Sequence, residues 1–115
     1  MNVKDLYKSI GGDYEEVFSQ LGDDKDIIDF LKKFIERNDM ENLKNLLAKK
    51  KYKESFICVH NMKGFGLNMA LPALHKAASE LCEPLRNGKP SVGLEPIVSR
   101  LENVYNKIKE GVLKL

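Results

Sequence analysis

Apolar residues recur at helical spacing through most of this chain, and this periodicity is the feature that most limits its fold. The clearest stretch carries Ile27, Ile28, Leu31, Phe34 and Ile35, which fall on one face of a helix with 3.6 residues per turn. No segment has the alternating pattern of a strand. Four longer amphipathic segments with short connections predict an all-α fold, an up-and-down four-helix bundle with short extra N-terminal helices.

Turn and cap residues divide the chain into predicted helices. Gly11-Gly12 ends the first helix, Asp13 caps the second, and Asp23 or Asp24 caps the third. The third and fourth helices are expected to be nearly continuous, with a bend at Asn38-Asp39. The predicted helices cover residues 2–10, 14–21, 24–37, 39–51, 52–68, 72–85 and 96–113. A turn is predicted at 87–90, and residues 91–95 are predicted to be irregular or a single short turn.

Composition and charge narrow the class of protein. A chain of 115 residues is expected to form one domain, 1–115, and its net charge of +2 is too small to indicate nucleic-acid binding. The lysines at 49, 50, 51 and 53 form a solvated face or steer an acidic partner. No apolar run approaches the ~20 residues that cross a bilayer, and no signal-peptide pattern opens the chain. With Cys58 and Cys82 expected to be reduced core residues, we predict a cytoplasmic protein without membrane contact.

The segment around His60 is the most informative for function. At roughly 100° per residue, a helix over residues 52–68 places His60 opposite its core-facing stripe. Ile57 and Gly64 lie on one flank of the histidine, and Lys63 and Leu67 lie on the other. His60 is therefore predicted to point to solvent. The core-facing stripe comprises Ser55, Cys58, Val59, Met62, Phe65, Gly66 and Met69.

The run H-N-M-K-G, followed by F-G-L-N-M-A-L, resembles the signature of histidine-containing phosphotransfer domains. His60, Lys63, Gly64 and Asn68 match that pattern, as do the apolar methionines 62 and 69. The resemblance implies a phosphorelay carrier of two-component signal transduction. His60 would accept a phosphoryl group from a receiver-domain aspartate and pass it to another response regulator.

The resemblance also implies partners and roles. The partners would be response-regulator receiver domains and a hybrid sensor histidine kinase, and the receiver would bring the acceptor aspartate and Mg²⁺. Lys63 would neutralise phosphoryl charge, as an ammonium can. Gly64 would leave room for the partner, with Ile57, Asn61 and Leu67 as further binding residues. The chain itself is expected to need no cofactor and no metal, and to act as a monomer.

Two positions depart from the family pattern. Ala70 stands where the family usually has glycine, so the turn after the helix is expected to differ. Cys82 stands where a Gln or Glu often holds the other ring nitrogen, and a thiol is a poor acceptor. Ser79 or Glu83, a backbone carbonyl or water could take that role.

Several alternatives follow from the same residues. The chain has no Gly-rich phosphate loop or Walker motif, so it is predicted to be a carrier and not an ATP-dependent kinase. A non-catalytic module that binds receivers without taking phosphate is the second hypothesis, and an unrelated helical enzyme is the third.

The other histidine, His75, fits no motif and is predicted to be structural. No pair of His or Cys has metal-ligand spacing on one helix face.

Overall fold

Regular structure in this protein is entirely helical over the residues that the computed structural model describes, which are 1–88, 90 and 93–115. No strand occurs among them, so the predicted all-α class is confirmed. The helices are α1 (Val3–Ser9), α2 (Tyr14–Leu21), α3 (Asp24–Glu36), α4 (Asp39–Ala48), α5 (Tyr52–Asn68), α6 (Pro72–Leu85) and α7 (Glu95–Val112).

Side-chain caps fix several of the predicted helix starts. Asp13 accepts a hydrogen bond from the Glu16 amide at 3.1 Å, and Asp23 accepts one from the Lys25 amide at 2.9 Å.

Helix α7 begins at Glu95, one residue before the predicted start. The turn predicted at 87–90 and the irregular stretch predicted at 91–95 include residues 89, 91 and 92, which lie outside the described residues.

Packing between helices closes a ring of contacts. Helix α5 packs on α4 and on α6, α6 packs on α7, and α7 packs on α3. Helices α3 and α4 are separated only by Arg37 and Asn38, with Asn38 in the left-handed conformation at φ 59°. The bend predicted near Asn38 is therefore where α3 ends and α4 begins. The interior is filled by the apolar faces of the helices, including Leu31, Phe34, Leu43, Val59, Met62, Leu74, Leu81, Leu85, Leu101 and Ile108.

Gly66 marks the closest approach of α5 to α6. A Cβ atom built on Gly66 would lie 2.7 Å from the backbone nitrogen of His75 and 3.1 Å from its Cα atom. The first distance is shorter than real Cβ atoms show, and the second is tight, so the two backbones can meet this closely only because the residue is glycine. This contact holds the solvent face of α5 in a fixed relation to α6.

The C-terminus of α5 ends in a left-handed turn at Ala70, whose φ is 55°. The Leu71 amide donates to the Gly66 carbonyl at 2.8 Å, and the Ala70 amide donates to the Leu67 carbonyl at 3.3 Å. These two bonds are the Schellman pattern, in which glycine normally takes the left-handed position. The turn therefore uses a conformation that suits glycine and holds it with alanine.

The N-terminal segment fastens this turn to the rest of the molecule. The Tyr7 hydroxyl donates to the Met69 carbonyl at 2.8 Å, and the Asp13 amide donates to the Ala70 carbonyl at 2.9 Å. Burial raises the pKa of the Tyr7 phenol, so it stays protonated and remains a donor. The short N-terminal helices thus satisfy carbonyls at the end of α5 that the helix itself leaves free.

We expect Tyr7→Phe to lower the free energy of unfolding by about 1–2 kcal/mol, because the buried Met69 carbonyl loses its donor. Tyr105 supplies a matched control, since its hydroxyl is buried and has no hydrogen-bond partner among the described residues. Tyr105→Phe should leave that free energy unchanged or raise it by up to about 1 kcal/mol. Urea denaturation of both variants makes the comparison. Equal losses would show that the hydrogen bond to Met69 contributes nothing.

Candidate functional site

His60 lies in the middle of α5 with its side chain exposed to solvent, as the helical angle predicts. The opposite face of the helix carries the buried residues Ser55, Val59, Met62 and Gly66. Two members of the predicted core stripe, Cys58 and Phe65, are only half-buried, and both lie at the same edge of that stripe. The imidazole is therefore presented outward from a helix whose far side is anchored in the core.

The neighbours of His60 leave space and apolar surface beside it. A Cβ atom built on Gly64 would meet no other atom within 4 Å. Ile57 and Leu67 are 59% and 62% exposed, which is high for large aliphatic side chains on a helix that packs against two others. Asn61 is also exposed. The surface around the histidine is thus open, with two apolar side chains available for contact.

Lys63 lies on the α6 side of the histidine. Its ammonium contributes to lowering the pKa of Glu83, after the larger effect of the hydrogen bond and charge of Arg86. Burial raises the pKa of the Cys82 thiol, and the charge of Lys63 opposes that change. The positive charge of Lys63 therefore acts on the part of α6 that carries Cys82 and Glu83.

The side chains considered as hydrogen-bond acceptors for the His60 ring are buried or bonded to other groups. Cys82 is buried, with 1% of its surface exposed. The Ser79 hydroxyl donates to the His75 carbonyl at 2.6 Å, and Glu83 accepts from Arg86 at 2.9 Å. Within the described part of the chain, neither the Ser79 hydroxyl nor the Glu83 carboxylate forms a hydrogen bond with the His60 ring.

A cleft of about 420 Å³ opens on the other side of the histidine, where α3 meets α4. It includes two charged residues that sequence reasoning missed, Arg37 and Asp39, which form an ion pair. They precede His60 by more than 20 positions, and the packing of α4 on α5 brings them to it. The residues around the cleft are Arg37, Asp39, His60, Asn61, Gly64, Phe65 and Asn68.

A second concave surface, of about 460 Å³, continues along the groove between α4 and α5 and includes Ile57 and Asn61. Another residue that sequence reasoning missed is Phe56, whose ring centroid lies 5.8 Å from that of His60. Its position four residues before the histidine was a usable signal, because such pairs share a helix face. Of the predicted site residues, His60, Asn61 and Gly64 share the first cleft, while Lys63 lies toward α6.

The other histidine and the half-buried cysteine both lie in structural contacts between helices. His75 is half-buried, and its Nδ1 atom lies 3.3 Å from the Lys63 carbonyl oxygen, so the ring bridges α6 to α5. Burial and the nearby Asp39 raise the pKa of Cys58 to about 11, which keeps it a thiol at neutral pH.

In the part of the chain that the structure describes, no three His, Cys, Asp or Glu side chains are grouped to hold a metal ion. None of the described helices is both long and apolar enough to cross a membrane.

Comparison with known proteins gave no match to a family model, to a curated protein or to a solved structure.

Proposed function

We propose that this protein is a phosphohistidine carrier, which accepts a phosphoryl group on His60 from a receiver-domain aspartate and passes it to another response regulator. The observation that carries the proposal is the exposed His60 on an anchored helix, with open space at Gly64 and an ammonium at Lys63 one turn away. The resemblance of the surrounding sequence to histidine-containing phosphotransfer domains gives the same function. Phosphoryl transfer depends mainly on positioning and charge neutralisation, and these residues supply both.

The transfer step needs a neutral imidazole. In the neutral form of the ring, one nitrogen carries a free lone pair and the other carries a proton. The lone pair attacks phosphorus, a P–N bond forms, and the P–O bond to the aspartate breaks with its electrons left on the carboxylate. The ring keeps its other proton and gains positive charge. The reverse sequence delivers the phosphoryl group to a second aspartate.

The architecture that we propose for this role is an up-and-down four-helix bundle formed by residues 1–115. The ring of contacts through α4, α5, α6, α7 and α3 supports it, with α3 and α4 acting as one broken column. The described atoms extend over 42 × 22 × 19 Å, as expected for helices that run along one axis. The N-terminal helices α1 and α2 lie outside these four columns.

The exposed surface of α5 is the proposed docking site for the partner. Ile57 and Leu67 would supply apolar contact on either side of the histidine, and Asn61 would supply a polar group. The partner would be the receiver domain of a response regulator or of a hybrid sensor histidine kinase, which brings the acidic pocket and its Mg²⁺. On this proposal the chain acts as a monomer, binds no nucleotide and needs no cofactor of its own.

A second candidate is a receiver-binding module of the same fold that takes no phosphate. The observation in its favour is the buried thiol of Cys82 at the position where the family often has a ring acceptor. A histidine without such an acceptor would be less firmly oriented for attack. Such a module would still bind the receiver through Ile57 and Leu67.

The proposal is tested by incubating the protein with phosphorylated receiver domains encoded in the same genome. We expect a label on the protein that is lost in acid and kept in base, as a phosphoramidate linkage is, and no label from ATP alone. A label that survives acid would point to a different acceptor. A receiver that binds but transfers nothing would favour the non-catalytic module.

Lys63→Ala should slow transfer from a phosphorylated receiver about tenfold, because a loss of about 1.4 kcal/mol of charge neutralisation in the transition state has that effect. The fold should be unaffected, since the lysine contributes no core packing. Lys107→Ala is the matched control, because Lys107 is an exposed lysine on α7. Stopped-flow or quenched-flow transfer rates make the comparison, and equal rates for the two variants would remove Lys63 from the site.

A further inference from the structure

Arg37, at the end of α3, is held in a fixed position beside the His60 cleft. Its guanidinium lies 5.2 Å from the ring centroid of Phe34 and 5.9 Å from that of Phe65. Those two rings are stacked on each other, with centroids 4.0 Å apart and an interplanar angle of 4°. At these distances from two parallel rings, the guanidinium lies beside the stacked pair, and contact with both rings restricts its movement.

An ion pair completes this arrangement. Nη2 of Arg37 lies 2.5 Å from one carboxylate oxygen of Asp39, and Nε lies 3.5 Å from the other. The side chain of Asp39 is 13% exposed, whereas that of Arg37 is 45% exposed. The carboxylate is thus largely covered by the protein, and the cation remains accessible. A guanidinium has five N–H donors, so most of those on Arg37 are not used by Asp39.

The position of Arg37 complements that of Lys63. Lys63 lies on the α6 side of His60, where its charge acts on Cys82 and Glu83. Arg37 lines the cleft on the α4 side, together with Asn61 and Gly64. Positive charge therefore stands on both sides of the histidine. Lys63 is a flexible point charge suited to a phosphoryl group, whereas Arg37 is anchored at the wall of the cleft.

We infer that Arg37 is a docking residue for the receiver, donating hydrogen bonds to a carboxylate at the rim of the receiver's acidic pocket. The inference rests on the proposed function. A carboxylate is the group that the planar fork of an arginine binds best, and the partner proposed here is acidic where it meets the histidine. Turning toward the phosphoryl group instead would break the ion pair of Arg37 with Asp39. Arginine is also one of the residues enriched at the energetic centres of protein interfaces.

The test compares transfer from a phosphorylated receiver to the wild type, Arg37→Gln, Arg37→Lys and Arg100→Gln. Arg100 is a matched control, being an exposed arginine on α7 that is paired with Glu80. We expect Arg37→Gln to lower kcat/KM about tenfold at low salt, chiefly through KM, with a smaller loss at high salt. Arg37→Lys should be intermediate, and Arg100→Gln should stay within about twofold of wild type. Thermal unfolding of each variant controls for the fold.

Labelling with phosphoramidate, which needs no receiver, separates docking from contact with the phosphoryl group. The docking role predicts equal labelling of the wild type and Arg37→Gln. The inference is overturned if Arg37→Gln loses as much in phosphoramidate labelling as in transfer from the receiver. It is also overturned if the transfer loss is confined to kcat, or if transfer is not reduced at all. If the wild type takes no phosphoryl group from any receiver, the proposed function itself fails. Calorimetric affinities of the same receivers for the wild type and Arg37→Gln then decide the docking role alone.

Discussion

Replacing His60 by glutamine should abolish the acid-labile label that a phosphorylated receiver transfers to the wild type. Glutamine keeps a similar length and a hydrogen-bonding group but has no lone pair of imidazole type, so no P–N bond can form. Because His60 lies on the solvent face of α5, away from the core, the variant should fold as the wild type does. Autoradiography after gel separation at neutral or basic pH measures the label.

The second histidine of the chain provides the control. His75→Gln keeps a polar side chain with N–H donors near the Lys63 carbonyl, whose oxygen lies 3.3 Å from His75 Nδ1 in the wild type. We expect this variant to be labelled within about twofold of the wild type. Label that persists on His60→Gln, or that disappears only on His75→Gln, would show that the phosphoryl group is not carried by His60.

Gly66→Ala should lower the free energy of unfolding by roughly 3 kcal/mol, since overpacking costs about 1–3 kcal/mol or more, with the upper end expected against a backbone, and exceeds the gain in helix propensity. The new Cβ atom would lie 2.7 Å from the His75 nitrogen, and a backbone atom cannot move aside as a side chain can. In a domain of this size the loss corresponds to a fall in Tm of more than about 10 °C. Calorimetry or thermal circular dichroism measures it.

Gly64→Ala is the matched change, made two residues away on the same helix. Its Cβ atom would meet nothing within 4 Å, so only the propensity of the helix changes, and the variant should gain up to about 1 kcal/mol. The two alanine variants should therefore differ by about 4 kcal/mol. Similar stabilities would mean that α5 and α6 do not approach each other at Gly66 as closely as described.

The helices and the outward direction of His60 follow from local sequence, and for that reason they could be predicted. Periodicity over a few turns decides which face of a helix is buried, and caps such as Asp13 need only the next three residues. The same arithmetic puts Phe56 beside His60, although that neighbour was not singled out. These are relations within one helix, which the chain specifies without reference to other elements.

What the sequence could not give is geometry between elements. Arg37 reaches the His60 cleft because α3 ends at Glu36 and α4 begins at Asp39, and no pattern in the sequence measures the angle between them. The helical angle predicts core positions for Cys58 and Phe65, but how far burial extends around α5 depends on the width of the helices packed against it.

The glycines of α5 show the same limit. Gly64 and Gly66 lie in one short run of sequence, yet one borders open space and the other touches the backbone of α6. A helical wheel puts Gly66 on the buried face without indicating that a larger residue would not fit. Ala70 likewise takes a left-handed conformation that alanine rarely adopts, so its residue type does not predict it. The Schellman bonds and the hydrogen bond from the Asp13 amide stabilise this turn.

The central claim is that the His60 imidazole becomes the phosphoryl acceptor, and phosphorus NMR on the loaded wild type tests it most directly. After incubation with a phosphorylated receiver, one phosphorus resonance should couple to the ring protons of His60, and it should vanish on acidification. A resonance that couples to any other residue would contradict the account. So would an unmodified His60 in a protein that binds the loaded receiver.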